Sequence, residues 1–139
     1  MAAPGLQGID ETVQQTYVWI DEVADAFHGS RHQGFQILRA FLHLLRDHLP
    51  VDESAQLAAQ LPMLVRGAYY EGWDPGRTLQ HERDAEDFLA RLASESGIRE
   101  CDARDAVKAA WRTLGRHISG GEVAQVEQAL PKHIRALLF

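Results

Sequence analysis

The chain repeats part of itself: residues 40–70 align with residues 109–139 without a gap, at an offset of 69 residues. Nine of the 31 aligned pairs are identical, whereas about two matches would be expected by chance for this composition. The identical pairs are Ala40/Ala109, Leu45/Leu114, His48/His117, Glu53/Glu122, Ala55/Ala124, Gln56/Gln125, Leu61/Leu130, Pro62/Pro131 and Arg66/Arg135. This match predicts a tandem duplication of one structural unit.

Apolar residues in both units recur at the spacing of an α-helix. A first helix, ending near Gly29, is predicted from the stripe Val13, Tyr17, Ile20, Ala24 and Phe27. A second helix, ending near Pro50, has a wider apolar face that makes it central to the core: Phe35, Leu38, Phe41, Leu42, Leu44, Leu45 and Leu49. The second unit carries the same pattern in two further stripes: Phe88, Leu89 and Leu92, then Val107, Trp111, Leu114 and Ile118. No strand-like alternation of useful length is present, so the predicted fold class is all-α.

Capping residues set several helix starts. Asp52 and Asp84 each precede a helical pattern and are predicted as N-caps, because a short acidic side chain accepts from the free backbone N–H groups there. Ser119 and Glu122 have the S-x-x-E spacing of a reciprocal capping box. Glu122 is therefore predicted to have a structural role at the start of its helix.

Two Leu-Pro dipeptides interrupt the helical pattern at equivalent places. At Leu61-Pro62 the simpler interpretation is a break, with Pro62 opening a short helix that runs to Tyr70. A kinked but continuous helix is the alternative. Leu130-Pro131 predicts the same break in the second unit, followed by a last short helix toward Phe139.

These patterns predict one domain over residues 1–139, built from two repeats. The first repeat covers residues 13–70, a connecting loop covers 71–83, and the second repeat covers 84–139. Each repeat contains about three to four helices, and a unit of this size buries too little surface to be stable alone. The two repeats are therefore expected to pack as one pseudo-twofold helical bundle with a shared core.

Composition excludes several classes of function. The net charge of −6 argues against nucleic-acid binding, because a phosphate backbone repels an acidic surface. Cys101 is the single cysteine, so no internal disulfide can form. The first ten residues lack the pattern of a signal peptide, and no apolar run reaches the length of a membrane span. A cytoplasmic protein without membrane contact is predicted.

Residues 38–75 also resemble a known family. The sequence Gln60-Leu61-Pro62 followed by Arg66, Gly67, Tyr70, Gly72, Trp73 and Asp74 is similar to the bacterial family catalogued as domain of unknown function 2267. The resemblance extends from about Tyr17 to Leu138. It implies an all-α bacterial cytosolic protein, and it implies neither an activity nor a catalytic residue.

The stretch from Arg66 to Pro75 is the main candidate for a binding site. It is rich in residue types that anchor protein interfaces, and beyond Tyr70 it has no counterpart in the second repeat. The candidate binding residues are Arg66, Tyr69, Tyr70, Trp73 and Asp74. The alternative is structural: the three aromatic residues fill the seam between the repeats, and Asp74 begins a turn. The duplicated Arg66 and Arg135 are likewise expected to cover apolar surface or to pair with acids.

The remaining polar residues give no catalytic or metal-binding pattern. His28 and His32 are four residues apart, but Gly29 and Ser30 between them indicate a loop. The duplicated His48 and His117 are expected to end their helices, where an imidazolium suits the helix dipole. No metal site, cofactor or catalytic residue is predicted.

The sequence therefore favours a non-enzymatic protein-protein interaction or regulatory module, whose partner is another protein or a second copy of the chain. The alternative is a small-molecule-binding protein or an enzyme with a pocket between the two repeats, since ligands commonly bind at such junctions. An apolar cavity at that junction containing Arg66, Tyr70 or a histidine would favour this alternative. A solidly packed junction would count against it.

Overall fold

The computed structural model describes residues 5–77 and 84–139, and in these two ranges the chain folds into eight α-helices without a strand. The helices are α1 (Gln7–Phe27), α2 (Arg31–Asp47), α3 (Val51–Ala59), α4 (Met63–Tyr70), α5 (Ala85–Ser96), α6 (Ala103–His117), α7 (Gly120–Ala129) and α8 (Lys132–Arg135). Short 3₁₀ turns cover Pro75–Arg77 and Glu100–Asp102. The all-α prediction is confirmed, while residues 78–83 of the predicted connecting loop lie outside the described residues. None of the described helices is long and apolar enough to cross a membrane.

Helix α2 lies at the centre of the core, as its wide apolar face predicts. It contacts α1, α3, α4, α5 and α6, and from Ile37 to Leu45 most of its side chains are buried. Further pairings join α1 to α6, and α3 to α7. The first helix of each predicted repeat therefore packs against the second helix of the other.

The closest approach of α1 and α2 occurs at Gly34. A Cβ atom added there would lie 2.5 Å from the carbonyl oxygen of Ile20 and 2.8 Å from Cβ of Ala24. Both distances are shorter than van der Waals contact. The absence of a side chain at Gly34 therefore lets α2 pack directly against the backbone of Ile20 and the side chain of Ala24 in α1.

Both Leu-Pro sequences break their helices, so the interpretation as a kinked continuous helix is wrong. Pro62 is the N-cap of α4 with a ψ of 151°, and Pro131 is the N-cap of α8 with a ψ of 146°. A proline has no N–H to bond the preceding turn, which leaves carbonyl oxygens at the end of α3 and α7 without an intrahelical donor. The last helix was predicted to reach Phe139, but α8 ends at Arg135.

Arg66 and Arg135 supply the missing donors. Arg66 donates from Nε to the carbonyl oxygen of Ala58 at 2.8 Å and from Nη2 to that of Leu61 at 3.0 Å. Arg135 donates from Nη2 to the carbonyl oxygen of Leu130 at 3.1 Å. The duplicated arginines thus cap helix ends instead of pairing with acids.

The predicted N-caps have mixed outcomes. Asp84 caps α5 as expected, because its Oδ1 accepts from the backbone N–H of Asp87 at 2.9 Å. The prediction for Asp52 is wrong: α3 starts at Val51, with Pro50 as N-cap, and Asp52 lies in the first turn. Pro50 has no side-chain acceptor, so the N–H groups in the first turn of α3 receive no cap from it.

The capping box of α7 forms only in part. Ser119 Oγ accepts from the backbone N–H of Glu122 at 3.1 Å, but the backbone N–H of Ser119 donates to Oε1 of Gln60 at 2.8 Å. Gln60 has taken the place predicted for the Glu122 carboxylate. Glu122 Oε1 is buried without a hydrogen-bond partner among the described residues. Burial, followed by the nearby charge of Glu53, raises the pKa of Glu122.

We predict that Glu122→Gln stabilises the protein at neutral pH by about 1 kcal/mol, because it removes a buried charge that lacks a partner. A raised folded-state pKa means that the ionised carboxylate lowers stability above its unfolded-state pKa of about 4.3. The advantage of the variant should therefore shrink as the pH falls toward 4. Urea unfolding at pH 7 and pH 4 measures the difference in unfolding free energy between variant and parent, with Glu11→Gln on the exposed side of α1 as the control. A variant less stable than the parent at pH 7 would contradict this assignment.

Candidate functional site

The predicted site residues between Arg66 and Asp74 do not form one exposed cluster. The Arg66 guanidinium is occupied by the carbonyl groups at the end of α3. Tyr69 is fully buried, and its hydroxyl donates to Ser54 Oγ at 3.0 Å. Burial raises the pKa of Tyr69, so its hydroxyl stays protonated. In this structure both residues serve the internal packing around α4.

The other three candidates lie at the end of α4 and are at least partly accessible. The ring centroids of Tyr70 and Trp73 are 5.2 Å apart, and those of Tyr69 and Tyr70 are 5.3 Å apart. Trp73 Nε1 is buried and has no hydrogen-bond partner among the described residues. Asp74 is exposed, and its Oδ1 accepts from the backbone N–H of Gly76 at 3.0 Å, which is the turn geometry expected for this residue type.

Two side chains of α2 hold this segment in place, and no sequence pattern indicated either contact. His43 Nε2 donates to the carbonyl oxygen of Ala68 at 2.7 Å. Arg46 Nη1 donates to the carbonyl oxygens of Tyr69 and Glu71 at 2.7 and 2.6 Å. Burial is the main cause that lowers the pKa of His43, with the charge of Arg46 adding to it. The end of α4 is therefore capped from a neighbouring helix.

A polar groove of about 230 Å³ lies beside these residues. Its arginines are balanced by carboxylates: Arg39 pairs with Glu71, and Arg91 pairs with Asp47 at 2.6 Å and with Glu95 at 3.0 Å. This compensation leaves no excess positive charge for an anion. The ion pairs around this groove therefore have a structural role.

A more accessible apolar surface lies where α1 meets α4. We name it the α1–α4 surface and define it by five side chains that are each between 37% and 49% exposed: Ile9, Val13, Tyr17, Phe35 and Leu64. The backbone N–H of Leu64 donates to Thr12 Oγ1 at 3.3 Å, which joins the two helices at this point. Phe35, Leu64 and Thr16 line one small apolar groove on this surface. Val13 and Tyr17 come from the apolar stripe that predicted α1, and they lie at its uncovered end, whereas Ile20 and Ala24 of the same stripe are buried.

A cleft also opens at the junction of the two predicted repeats. This seam cleft has a volume of about 360 Å³ and is lined by Gln15, Val18, Trp19, Gln60, Leu61, Pro62 and His117. Only His117 comes from the second repeat. The cleft is open to the surface and has a histidine in its lining, while beneath it the apolar side chains of both predicted repeats form one buried core.

The described residues contain no group of three or more histidine, cysteine or acidic side chains placed to hold a metal ion. His28 ends α1 in the left-handed conformation with a φ of 61°, while His32 lies in the first turn of α2. The two rings therefore do not share a helix face. Cys101 is exposed in the 3₁₀ turn before α6.

The sequence was also compared with protein families and with curated proteins. A family model described as "Uncharacterized conserved protein (DUF2267)" matches residues 16–137. No curated protein matches the chain. The matched range contains Trp19, His117 and most of the α1–α4 surface, and it leaves out Ile9 and Val13.

Proposed function

The chain belongs to the DUF2267 family of uncharacterized conserved proteins, and we propose that it is a non-enzymatic interaction module that binds a helix of a partner protein on its α1–α4 surface. The observation that carries this proposal is a row of half-exposed apolar side chains: Ile9, Val13 and Tyr17 follow one another at four-residue spacing on α1, and Phe35 and Leu64 share a small groove with Thr16 of the same helix. Single exposed apolar residues are common on proteins, whereas a contiguous patch indicates a contact site. An amphipathic helix presents a complementary apolar stripe to such a surface.

Charge indicates the chemistry of the partner. Two arginines lie at the α1–α4 surface, Arg31 over the Tyr17 ring and Arg39 in the small groove, and each is paired with a carboxylate, so they add no excess positive charge. The chain as a whole carries a net charge of −6. A partner helix with an apolar stripe and basic flanking residues fits both features. The same charge makes nucleic acid an unsuitable partner, and we place the protein in the cytoplasm.

The predicted binding residues contribute unequally to this proposal. Tyr70, Trp73 and Asp74 lie at the far end of α4 and are proposed to extend the contact area. Arg66 and Tyr69 act from inside, by fixing the start and the packing of α4. Replacing Arg66 would therefore disturb the packing of α4 as well as any binding, so it does not test binding alone.

We also propose that the protein arose by tandem duplication and that its halves pack about a pseudo-twofold axis. Helices α1 to α4 correspond in order to α5 to α8 at the offset of 69 residues. Arg66 and Arg135 donate to the carbonyl groups of aligned residues, at 3.3 Å to Ala59 and at 3.4 Å to Gln128. Equivalent hydrogen bonds at aligned positions support a common origin.

Contacts between the halves support the same axis. Trp19 stacks on His117 at 4.9 Å, and the aligned Phe88 contacts His48 edge-on at 5.4 Å. Glu22 lies 3.8 Å from Arg116 in one such contact. In the aligned contact the charges are exchanged, because Arg91 binds Asp47. A duplicated and later diversified unit accounts for both sets of aligned contacts.

The interaction proposal is tested by site-specific photo-crosslinking in cells. A photoreactive residue at Val13 should capture one protein, and the same residue at Val51, an equally apolar and exposed position on α3, should not. Leu64→Glu should then weaken binding of the purified partner roughly tenfold or more, because it places a charge in an apolar contact, while circular dichroism stays unchanged. Equal capture at both positions, or unchanged affinity of Leu64→Glu, would refute the proposed surface. Capture of the chain itself would identify the partner as a second copy.

A further inference from the structure

The seam cleft contains an oriented histidine. His117 Nε2 lies 3.0 Å from Glu22 Oε2, and its ring stacks on Trp19 with an interplanar angle of 21°. A carboxylate only accepts hydrogen bonds, so Nε2 carries the proton in this pair. In the neutral ring Nδ1 is then an acceptor, and none of the described hydrogen bonds uses it. Glu22 and Trp19 thus hold the His117 ring from two sides, while its Nδ1 has no hydrogen-bond partner among the described residues.

The aligned histidine of the first half has a different environment. His48 is fully buried, and its Nδ1 donates to the carbonyl oxygen of Leu44 at 2.7 Å within the same helix. Such a bond accounts for a histidine at a helix end. His117 also ends its helix, but it turns away from that bond toward Glu22 and the seam cleft. Helix capping therefore explains His48 and does not explain His117.

The walls of the seam cleft restrict what it can hold. Val18, Leu61 and Pro62 give it apolar sides, and Gln15 adds an amide. The volume of about 360 Å³ is at the lower end of the range of small-molecule sites. The charged groups placed at His117 are Glu22 from α1 and Arg116 from α6 itself. On the side of α3 and α4 the lining residues Gln60, Leu61 and Pro62 carry no charge.

We infer that the seam cleft is a binding site for a small uncharged ligand with a planar apolar body and one O–H or N–H group, which donates to Nδ1 of His117. The carboxylate of Glu22 fixes the tautomer that makes Nδ1 an acceptor, so it is a positioning residue. The same carboxylate disfavours anions in the cleft. This site is independent of the α1–α4 surface.

The probes are phenol and indole, with benzoate as an anionic compound of similar size. Titration of the full chain, followed by NMR of the His117 ring and the Trp19 indole, should show saturable shifts with phenol or indole and weaker binding of benzoate. His117→Phe keeps a stacking ring but removes the acceptor, and it should weaken binding roughly tenfold, the value of one hydrogen bond. His32→Ala on the exposed part of α2 should have no effect.

A pH series provides a readout that a purely structural His117 would not move. An imidazolium carries a hydrogen on both ring nitrogens and cannot accept at Nδ1, so affinity should fall in acidic buffer. The titration uses the purified chain without a protein partner, so its outcome does not depend on the α1–α4 surface. Absence of saturable shifts, full binding in His117→Phe, or tighter binding of benzoate than of phenol would each overturn the inference.

Discussion

Replacing Arg46 with methionine is expected to lower the free energy of unfolding by about 3 kcal/mol, since removal of one buried charged partner leaves the others unpaired. The side chain of Arg46 is 8% exposed and binds two carbonyl oxygens at the end of α4, while its Nε donates to Asp47 Oδ1 at 3.2 Å. Methionine retains much of the apolar contact and none of these donors. Urea unfolding followed by circular dichroism measures the loss.

Arg39→Met is the matched control for this variant. Arg39 lies on the same helix and pairs with the Glu71 side chain, but both side chains are substantially exposed. An exposed ion pair contributes about 0–1 kcal/mol, so the control should lose little. Equal losses in the two variants would show that Arg46 does not act through the buried carbonyl groups. The Tyr70 and Trp73 signals should also broaden or shift in Arg46→Met, because their segment loses its attachment to α2.

The second large effect is expected for Gly34→Ala, which should destabilise the protein by about 2 kcal/mol. Alanine is favoured over glycine in a helix by about 1 kcal/mol, but here its Cβ would collide with the carbonyl oxygen of Ile20. Backbone atoms cannot move aside as a flexible side chain can, so α1 and α2 must separate. Overpacking of this kind costs about 1–3 kcal/mol, and more in rigid sites.

Gly115→Ala is also a glycine-to-alanine change within a helix, but it is expected to change the free energy of unfolding in the opposite direction. Gly115 lies in α6, and a Cβ added there meets nothing within 4 Å. The substitution should therefore stabilise the protein by up to about 1 kcal/mol. Thermal and urea unfolding of both variants measures the difference in sign. A stabilised Gly34→Ala would mean that the two helices do not cross as closely as described.

Local chemistry made the helix boundaries largely predictable. A proline cannot donate to the preceding turn, so the sequence favoured breaks at Leu61-Pro62 and Leu130-Pro131 over kinked continuous helices. Asp84 and Gly97 likewise mark the ends of α5. These features depend on residues within one turn of each other, which is the range that sequence patterns describe well.

Contacts between distant residues account for what the sequence did not reveal. Arg46 caps a helix end 23 residues away, and Gln60 replaces Glu122 at the backbone of Ser119, 59 residues away. Neither partner can be identified from spacing. The same limit explains Tyr69 and Tyr70: adjacent aromatic residues differ by about 100° around a helix, and only the position of α4 decides which one is buried.

The α1–α4 surface shows a related limit. Helical spacing identifies the face of α1 that carries apolar residues, and Ile9 continues this stripe toward the N-terminus at the expected interval. Spacing does not tell how far along the helix a neighbour covers that face. Ile20 and Ala24 are buried, whereas Val13 and Tyr17 are about half exposed. The uncovered end of a regular stripe was the available signal for this surface.

The pairing of α1 with α6 also affects how the protein is made in the cell. Glu22 and His117 are in contact although 95 positions separate them in the chain. At a synthesis rate of about 5–20 residues per second, the ribosome needs roughly 5–20 s to make that interval. During this time α1 is complete while the helix that covers its inner face does not yet exist. The nascent first half therefore exposes apolar surface that chaperones at the ribosome are suited to shield.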